Sequence, residues 1–295
     1  MKCSVIILNW NGSAMLRRYL PALIKHTDVK DSELIVADNG STDDSIAVLV
    51  SEFPDVRRII LEKNYGFAEG YNRALEKVDS EYVVLLNSDV EVTEGWLQPL
   101  LDYMDAHPDV AAVQPKIRSW LHRDEFEHAG AAGGYINFLG YPYCRGRILW
   151  NVEKDHGQYD TPAEVDWTSG ACMCLRTKVY KELGGLDTSF FAHMEEIDLC
   201  WRMRNNGWKL MCLPQSVVYH LGGGSLAYAN PRKTYLNHRN NLLMIYKNKK
   251  HPWLVLFVRF FLDYAAGVFY LLQRRPEAFK ALIEARRDYH RMKHK

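Results

Sequence analysis

Short apolar runs alternate with amphipathic stretches through the first 116 residues of the chain. Runs at 4–8, 33–37, 56–61, 82–86 and 110–114 have the length and residue types of buried strands. Between them, apolar positions recur at helical spacing over 14–26, 43–52, 68–78 and 94–107. This alternation predicts an α/β fold, a mostly parallel sheet with helices on both faces. Four of the strands run out into polar turns: Asn9-Trp10-Asn11-Gly12, Asp38-Asn39-Gly40-Ser41, Asn64-Tyr65-Gly66 and Asn87-Ser88-Asp89. Parallel strands would gather those turns on one rim, at the carboxyl ends where open α/β sheets bind ligands.

The pattern loosens over 117–165, where glycines, aromatics and scattered charges predict loops and short hairpins. It returns with an extended stretch at 165–171, a strand at 173–176 and a helix over 195–206 that Gly207 stops. Residues 209–219 are extended, with Pro214 interrupting them. Helical patterns then cover 235–248, 253–272 and a last stretch opened by Pro276. The expected organisation is a body over 1–230 in two halves, 1–116 and 117–230. A helical extension over 231–295 follows.

Charge sharpens that division. The net charge is +1, yet residues 231–295 hold 15 Lys/Arg against 4 Asp/Glu. An acidic body with a basic tail points to an anionic partner for the tail. The apolar stretch 253–272 is about as long as a bilayer span of ~20 residues, but Arg259 and Asp263 argue against a simple crossing. Their i,i+4 spacing puts both on one helix face. With Lys247, Lys249, Lys250, Arg274 and Arg275 flanking it, the segment is expected to lie among lipid headgroups. Packing on the body, or in a homodimer interface, is the competing expectation. Nucleic acid is not expected as a partner, because the cations flank an aromatic, apolar helix.

The 295 residues suffice for a large core, with 47% hydrophobic and 25% charged residues. The first residues run directly into a strand pattern, so no secretory signal is expected. Six cysteines contain no C-x-x-C pair, which argues against a zinc knuckle or a thioredoxin motif and for a reducing compartment.

The chemistry lies at the turns. Asp89 ends a buried run at a sharp turn, a place from which a carboxylate can hold a divalent cation against phosphates. Asp38 can accept the ring N–H of a pyrimidine or serve as an Asx-turn residue. Gly66, Phe67, Ala68 and Gly70 let backbone approach a nucleotide, while Asn72 is equally suited to capping or packing. Glu195 and Glu196 sit at a helix start, where the dipole favours carboxylates in any case.

Taken in order, these motifs, with Glu195-Glu196-Ile197-Asp198-Leu199-Cys200-Trp201-Arg202, resemble glycosyltransferase family two over roughly residues 1–245. The nearest likeness is to bacterial rhamnosyltransferase-like enzymes of surface polysaccharide synthesis. The resemblance implies a GT-A fold, Rossmann-like, and an inverting transfer from a nucleotide-diphosphate sugar to a saccharide or lipid-linked saccharide. Donor contacts would fall to Asn9, Asn11, Asp38, Asn64, Gly66, Phe67, Asn72, Asn87 and Ser88. Mg²⁺ or Mn²⁺ would sit on Asp89 and His220. Asn87 stands where the family commonly has a carboxylate, and amide oxygen is the poorer ligand. Glu196 would be the general base, with Trp167, Gly170 and Glu195 near the acceptor and the sugar. Asp198 and Arg202 are expected to support the helix as an ion pair. The implied location is the inner face of the cell membrane. Two readings compete with this one. An oxidoreductase would need G-x-G-x-x-G after the first strand, which the chain lacks. A non-catalytic nucleotide-binding or membrane scaffold would have no use for Glu196 and His220 together.

Overall fold

A computed structural model describes residues 1–27, 31–128, 130–148, 151–222 and 230–293. Its centre is a nine-stranded mixed sheet. Strands β1 (Cys3–Asn9), β2 (Ser32–Asp38), β3 (Arg57–Ile60) and β4 (Tyr82–Leu86) are mutually parallel, with β1 between β4 and β2. Helices α1 (Ser13–His26), α2 (Ser45–Ser51) and α3 (Gly66–Leu75) make the crossovers. Side chains alternate across this sheet with period two. Val5, Ile7, Val84 and Leu86 join one apolar layer, whereas Ile6, Val83 and Leu85 join the other. Both faces are therefore covered, and each buried Val, Ile or Leu stabilises the fold by ~1.5–3 kcal/mol relative to exposure.

After β4 the chain departs from the simple alternation. A short strand, β5 (Val90–Val92), precedes α4 (Gln98–Ala106) and β6 (Val110–Ser119). The run at 110–114 thus becomes a longer strand that does not lie beside β4. Two ribbons follow, β7 (Gly134–Ile136) with β8 (Pro142–Cys144) and β9 (Arg147–Ile148) with β10 (Asn151–Val152). Then come β11 (Ala163–Glu164), β12 (Cys172–Arg176), α5 (Thr177–Glu182), α6 (Glu195–Asn205) and β13 (Lys209–His220). Strand β12 inserts antiparallel between β4 and β6, while β13 runs parallel to β6 and antiparallel to β5 and β11. The dividing line expected at residue 116 falls inside β6, so both halves of the body share one sheet. Pro214 lacks an N–H for the ladder, and the register of β13 on β6 shifts between Leu213 and Val217. Gly207, at φ 85°, ends α6 as its position predicted.

Three helices complete the chain: α7 (Pro231–Asn248), α8 (Pro252–Leu272) and α9 (Pro276–Met292). α7 packs on α6, and its Leu242, Leu243 and Met244 belong to the main core. In α8 the buried residues are Val255, Arg259, Asp263 and Gly267, one every fourth position. Arg259 donates to Asn241 Oδ1 (2.5 Å) and the Leu139 carbonyl (3.2 Å), and its guanidinium lies over the Tyr141 ring. Asp263 accepts from Arg286 of α9 at 2.9 Å. The charged row therefore faces protein, and the outer face exposes Trp253, Phe257, Phe260, Phe261, Tyr264 and Phe269. The expectation of packing on the body holds for the inner face, and the outer face is exposed. Lys247 does not join the flanking cations. It pairs at the surface with Asp187 and with Ser189 Oγ (3.1 Å). All six cysteines are buried and free.

Candidate active site

The turns after β1 and β2 are knitted together by side chains. Asp38, fully buried, accepts from Asn9 Nδ2 (3.0 Å) and from the Ser41 amide (2.8 Å). Asn11, at φ 50°, accepts the Thr42 and Asp43 amides on its Oδ1 (2.7 and 3.3 Å). Asn39, next to Asp38, donates to Asn64 Oδ1 and the Gly66 carbonyl and accepts the Tyr65 amide. Asn64 Oδ1 also takes the Gly66 amide (2.8 Å). Asn11 and Asn64 thus shape the rim through their side chains. Asn9 Oδ1 is buried without a hydrogen-bond partner among the described residues.

Gly66 adopts φ 80°, and a Cβ there would lie 3.0 Å from the Phe191 ring. The next amide, of Phe67, donates to the Phe191 carbonyl at 3.1 Å. Asn72, expected at the nucleotide, is engaged elsewhere. It donates to the Leu186 carbonyl and accepts from the Tyr180 hydroxyl and the Leu186 amide, which fixes the segment after α5.

The turn Asn87-Ser88-Asp89 is half-buried between β4 and β5. Asn87 N–H donates to the Ala171 carbonyl (3.0 Å), and the Asp89 carbonyl accepts the Leu221 amide (3.1 Å). His220 Nε2 meets Asp89 Oδ1 at 3.1 Å, although 131 residues separate them. On the other side of the ring, Glu127 Oε1 lies 3.6 Å from Nδ1. Burial opposes a charge on His220, but the two carboxylates outweigh it and raise its pKa to about 10. Burial alone would raise the pKa of Asp89. The His220 contact and backbone N–H groups prevail and hold it below the usual value.

Among the described residues no three His, Cys, Asp or Glu side chains surround a single point. Once His220 gave up its proton, the carboxylate and the imidazole would fit an oxygen-preferring divalent cation, with phosphate and water completing its ligands. His220 Nδ1 faces Glu127 instead, so only the Nε2 edge of the ring is turned to Asp89. Of the glycine-rich loop after His220, only Gly222 lies within the described residues. The 223–225 portion lies outside them.

The second acidic centre is the start of α6. Glu195 is buried, and burial followed by the neighbouring Glu196 charge pushes its pKa well up. It is therefore not presented to an acceptor or a sugar. Glu196 is only half-buried, with its pKa also raised by burial, and its Oε2 has no hydrogen-bond partner among the described residues. Gly170 lies beside it: a Cβ on Gly170 would lie 3.6 Å from Glu196 Cβ and 3.5 Å from the Phe67 ring. Asp198 and Arg202 form the expected pair at 2.8 Å.

Trp167 corrects an expectation. Its ring is buried, Nε1 donates to the Tyr135 carbonyl, and Gly134 packs so closely that a Cβ would penetrate the ring. It is a core residue with no face left for a sugar. Two contributors had no sequence signal. Glu127 backs His220, and Gln114 receives the Ser169 amide while donating to the Gly130 carbonyl.

One frame thus joins the elements. Asp89 and His220 meet directly, the 87–89 turn bonds to Ala171, and Gly170 next to it lies beside Glu196. The profile of glycosyl transferase family 2 matches residues 4–184, more than half of the chain. An N-acetylglucosaminyl-diphospho-decaprenol L-rhamnosyltransferase of Mycobacterium tuberculosis is 27% identical over 73% of this chain and 75% of its own length. Among solved structures, GalNAc-T7 with UDP, GalNAc and Mn²⁺ superposes with a TM-score of 0.65 at 17% identity. That match spans 83% of this chain and 47% of the other. Staphylococcus aureus TarS 1–349 with UDP-GlcNAc gives 0.62 at 18% identity, over 97% and 81%. The mixed sheet with its flanking helices is the GT-A fold these share, and the chain belongs to glycosyltransferase family 2.

Proposed function

We propose that the protein is an inverting, cation-assisted glycosyltransferase using a dTDP- or UDP-sugar, with rhamnose a leading candidate. The acceptor is a saccharide or lipid-linked saccharide at the inner face of the cell membrane. The observation that carries this reading is the frame joining the Asp89–His220 pair, through Ala171 and Gly170, to Glu196. The likeness to a relative named for a decaprenol-linked substrate supports the choice of sugar and acceptor.

Asp38 and the Asn9, Asn39 and Gly66 backbone around it receive the nucleoside. Asp89 and His220 would hold Mg²⁺ or Mn²⁺, which when bound would offset the charge gathering on the leaving diphosphate. Glu196 takes the proton of an acceptor hydroxyl. The hydroxyl oxygen attacks the anomeric carbon from the face opposite the diphosphate, whose bond to that carbon breaks with the electron pair leaving on phosphate oxygen. A pKa raised by burial suits the task, because a base nearer the working pH holds the proton better. Phe67 and Gly170 keep the space beside Glu196 narrow.

Screening UDP-, dTDP- and GDP-sugars with Mn²⁺ for diphosphate release tests the reading. Release from a dTDP- or UDP-sugar supports it, and none from the whole panel sinks it. The outer face of α8 and the cations Lys249, Lys250, Arg274 and Arg275 near its ends fit an anionic lipid surface. Co-sedimentation with phosphatidylglycerol vesicles should fall at least about tenfold in Phe257→Asp/Phe261→Asp, since two inserted aromatic rings are lost. Unchanged sedimentation, or a lipid-independent dimer through α8, would count against the membrane.

A further inference from the structure

Immediately before the two glutamates the backbone is strained. Phe191, His193 and Met194 have φ of 63°, 69° and 74°, a region that L side chains rarely adopt. Such conformations persist only where the surroundings over-determine them, and here the surroundings can be named. Asn240 of α7, fully buried, donates its amide to the carbonyls of Phe190 (3.1 Å), Ala192 (2.8 Å) and His193 (2.7 Å). Arg239 donates to the Phe190 carbonyl (2.9 Å) and to that of Ser189 (3.3 Å). Its Nε also donates to Asn240 Oδ1 (2.8 Å), which fixes the amide with its NH₂ toward the turn. From the opposite side the Phe67 amide holds the Phe191 carbonyl, and Gly66 seats the Phe191 ring.

The turn is coupled to Glu196 by the helix itself. The Met194 carbonyl accepts the Asp198 amide, so it opens the first turn of α6 on which Glu196 stands. If His193 and Met194 relaxed to negative φ, that helical turn would rotate and carry the carboxylate away from Gly170. We propose that Arg239 and Asn240 are positioning residues for sugar transfer: they clamp the strained 191–194 turn and thereby aim Glu196. Neither touches the reacting atoms. The inference rests on Glu196 being the base.

The test uses the full chain and the nucleotide sugar that releases diphosphate. Asn240→Ala should lower kcat by about 10- to 100-fold with donor KM nearly unchanged, the scale expected for a ~1 Å misplacement. Hydrogen exchange should rise at amides 191–197 and stay unchanged in β1–β4. In a Glu196→Asp background, where the carboxylate is already displaced, the same substitution should cost less than about threefold more. Where Asn240→Ala fails to fold, Arg239→Gln, which removes the second set of bonds, takes its place in both backgrounds. Equal losses in the two backgrounds, or wild-type kcat with exchange unaltered at 191–197, would overturn the clamp. Neither result bears on the base assignment, which Glu196→Gln alone decides.

Discussion

The turn at Asp89 and the helix start at Glu195 and Glu196 carry carboxylates in opposite electrical states. Asp89 is largely buried, yet His220 against it keeps it ionised. Glu195 is buried and Glu196 half-buried, neither meets a cationic side chain among the described residues, and both are pushed toward the neutral acid. Burial is similar at the two centres, so the partner sets the charge. A carboxylate that stays charged suits a cation, and one whose pKa is raised suits proton transfer. Pairs of acids driven apart in this way are how one site runs both tasks.

The largest expected effect falls on the uncharged side. Glu196→Gln should reduce kcat by about 10²–10⁴ while leaving donor binding intact. Turnover near the wild-type rate would make the helix-start carboxylates merely structural. Next comes the charged side. Asp89→Ala should abolish the gain in dTDP or UDP affinity that Mn²⁺ confers, a loss on the order of 100-fold by titration calorimetry. Metal-stimulated binding that survives would remove the cation from this turn.

The smallest effect tests the physics of burial. Below the ordinary carboxylate pKa of about 4.5, Glu195 is protonated in both folded and unfolded chains. As pH rises, the unfolded chain releases that proton first, so stability falls until pH passes the raised folded-state value and then levels off. Glu195→Gln lacks this slope. Its thermal midpoint should match wild type near pH 4 and exceed it progressively toward neutral pH, by roughly 1.4 kcal/mol per unit of pKa elevation. A pH-independent difference would mean that Glu195 is not held neutral.

What could be read in the sequence was local. β1 to β4 each end in a turn a few residues long, so strand pattern and turn chemistry together located the rim. The i,i+4 pairs Asp198–Arg202 and Arg259–Asp263 were equally plain. What escaped was assembled across the chain. Strand character was visible at residues 173–176, but nothing local says that β12 runs antiparallel between β4 and β6. Trp167 looks like a sugar platform until Gly134, 33 positions earlier, is seen to fill its face. Asn72 resembles a nucleotide ligand because its partners, Tyr180 and Leu186, lie more than 100 residues on. Glu127, Gln114, Arg239 and Asn240 belong to no pattern at all, since their roles exist only through tertiary contacts. In the sequence only the family likeness links Asp89 and His220, and the fold brings their side chains to 3.1 Å.

Arg259 and Asp263 carry one more consequence, for the bearing of the whole molecule. They are locked inward with Arg286, Asn241 and Tyr141, so α8 cannot roll: turning it over would sink ion pairs in oil. A helix about 10–12 Å across with one immovable side has a fixed waterline along its axis. If lipid is its partner, the enzyme floats with a constant list, and every substrate gliding in from the bilayer meets the same flank.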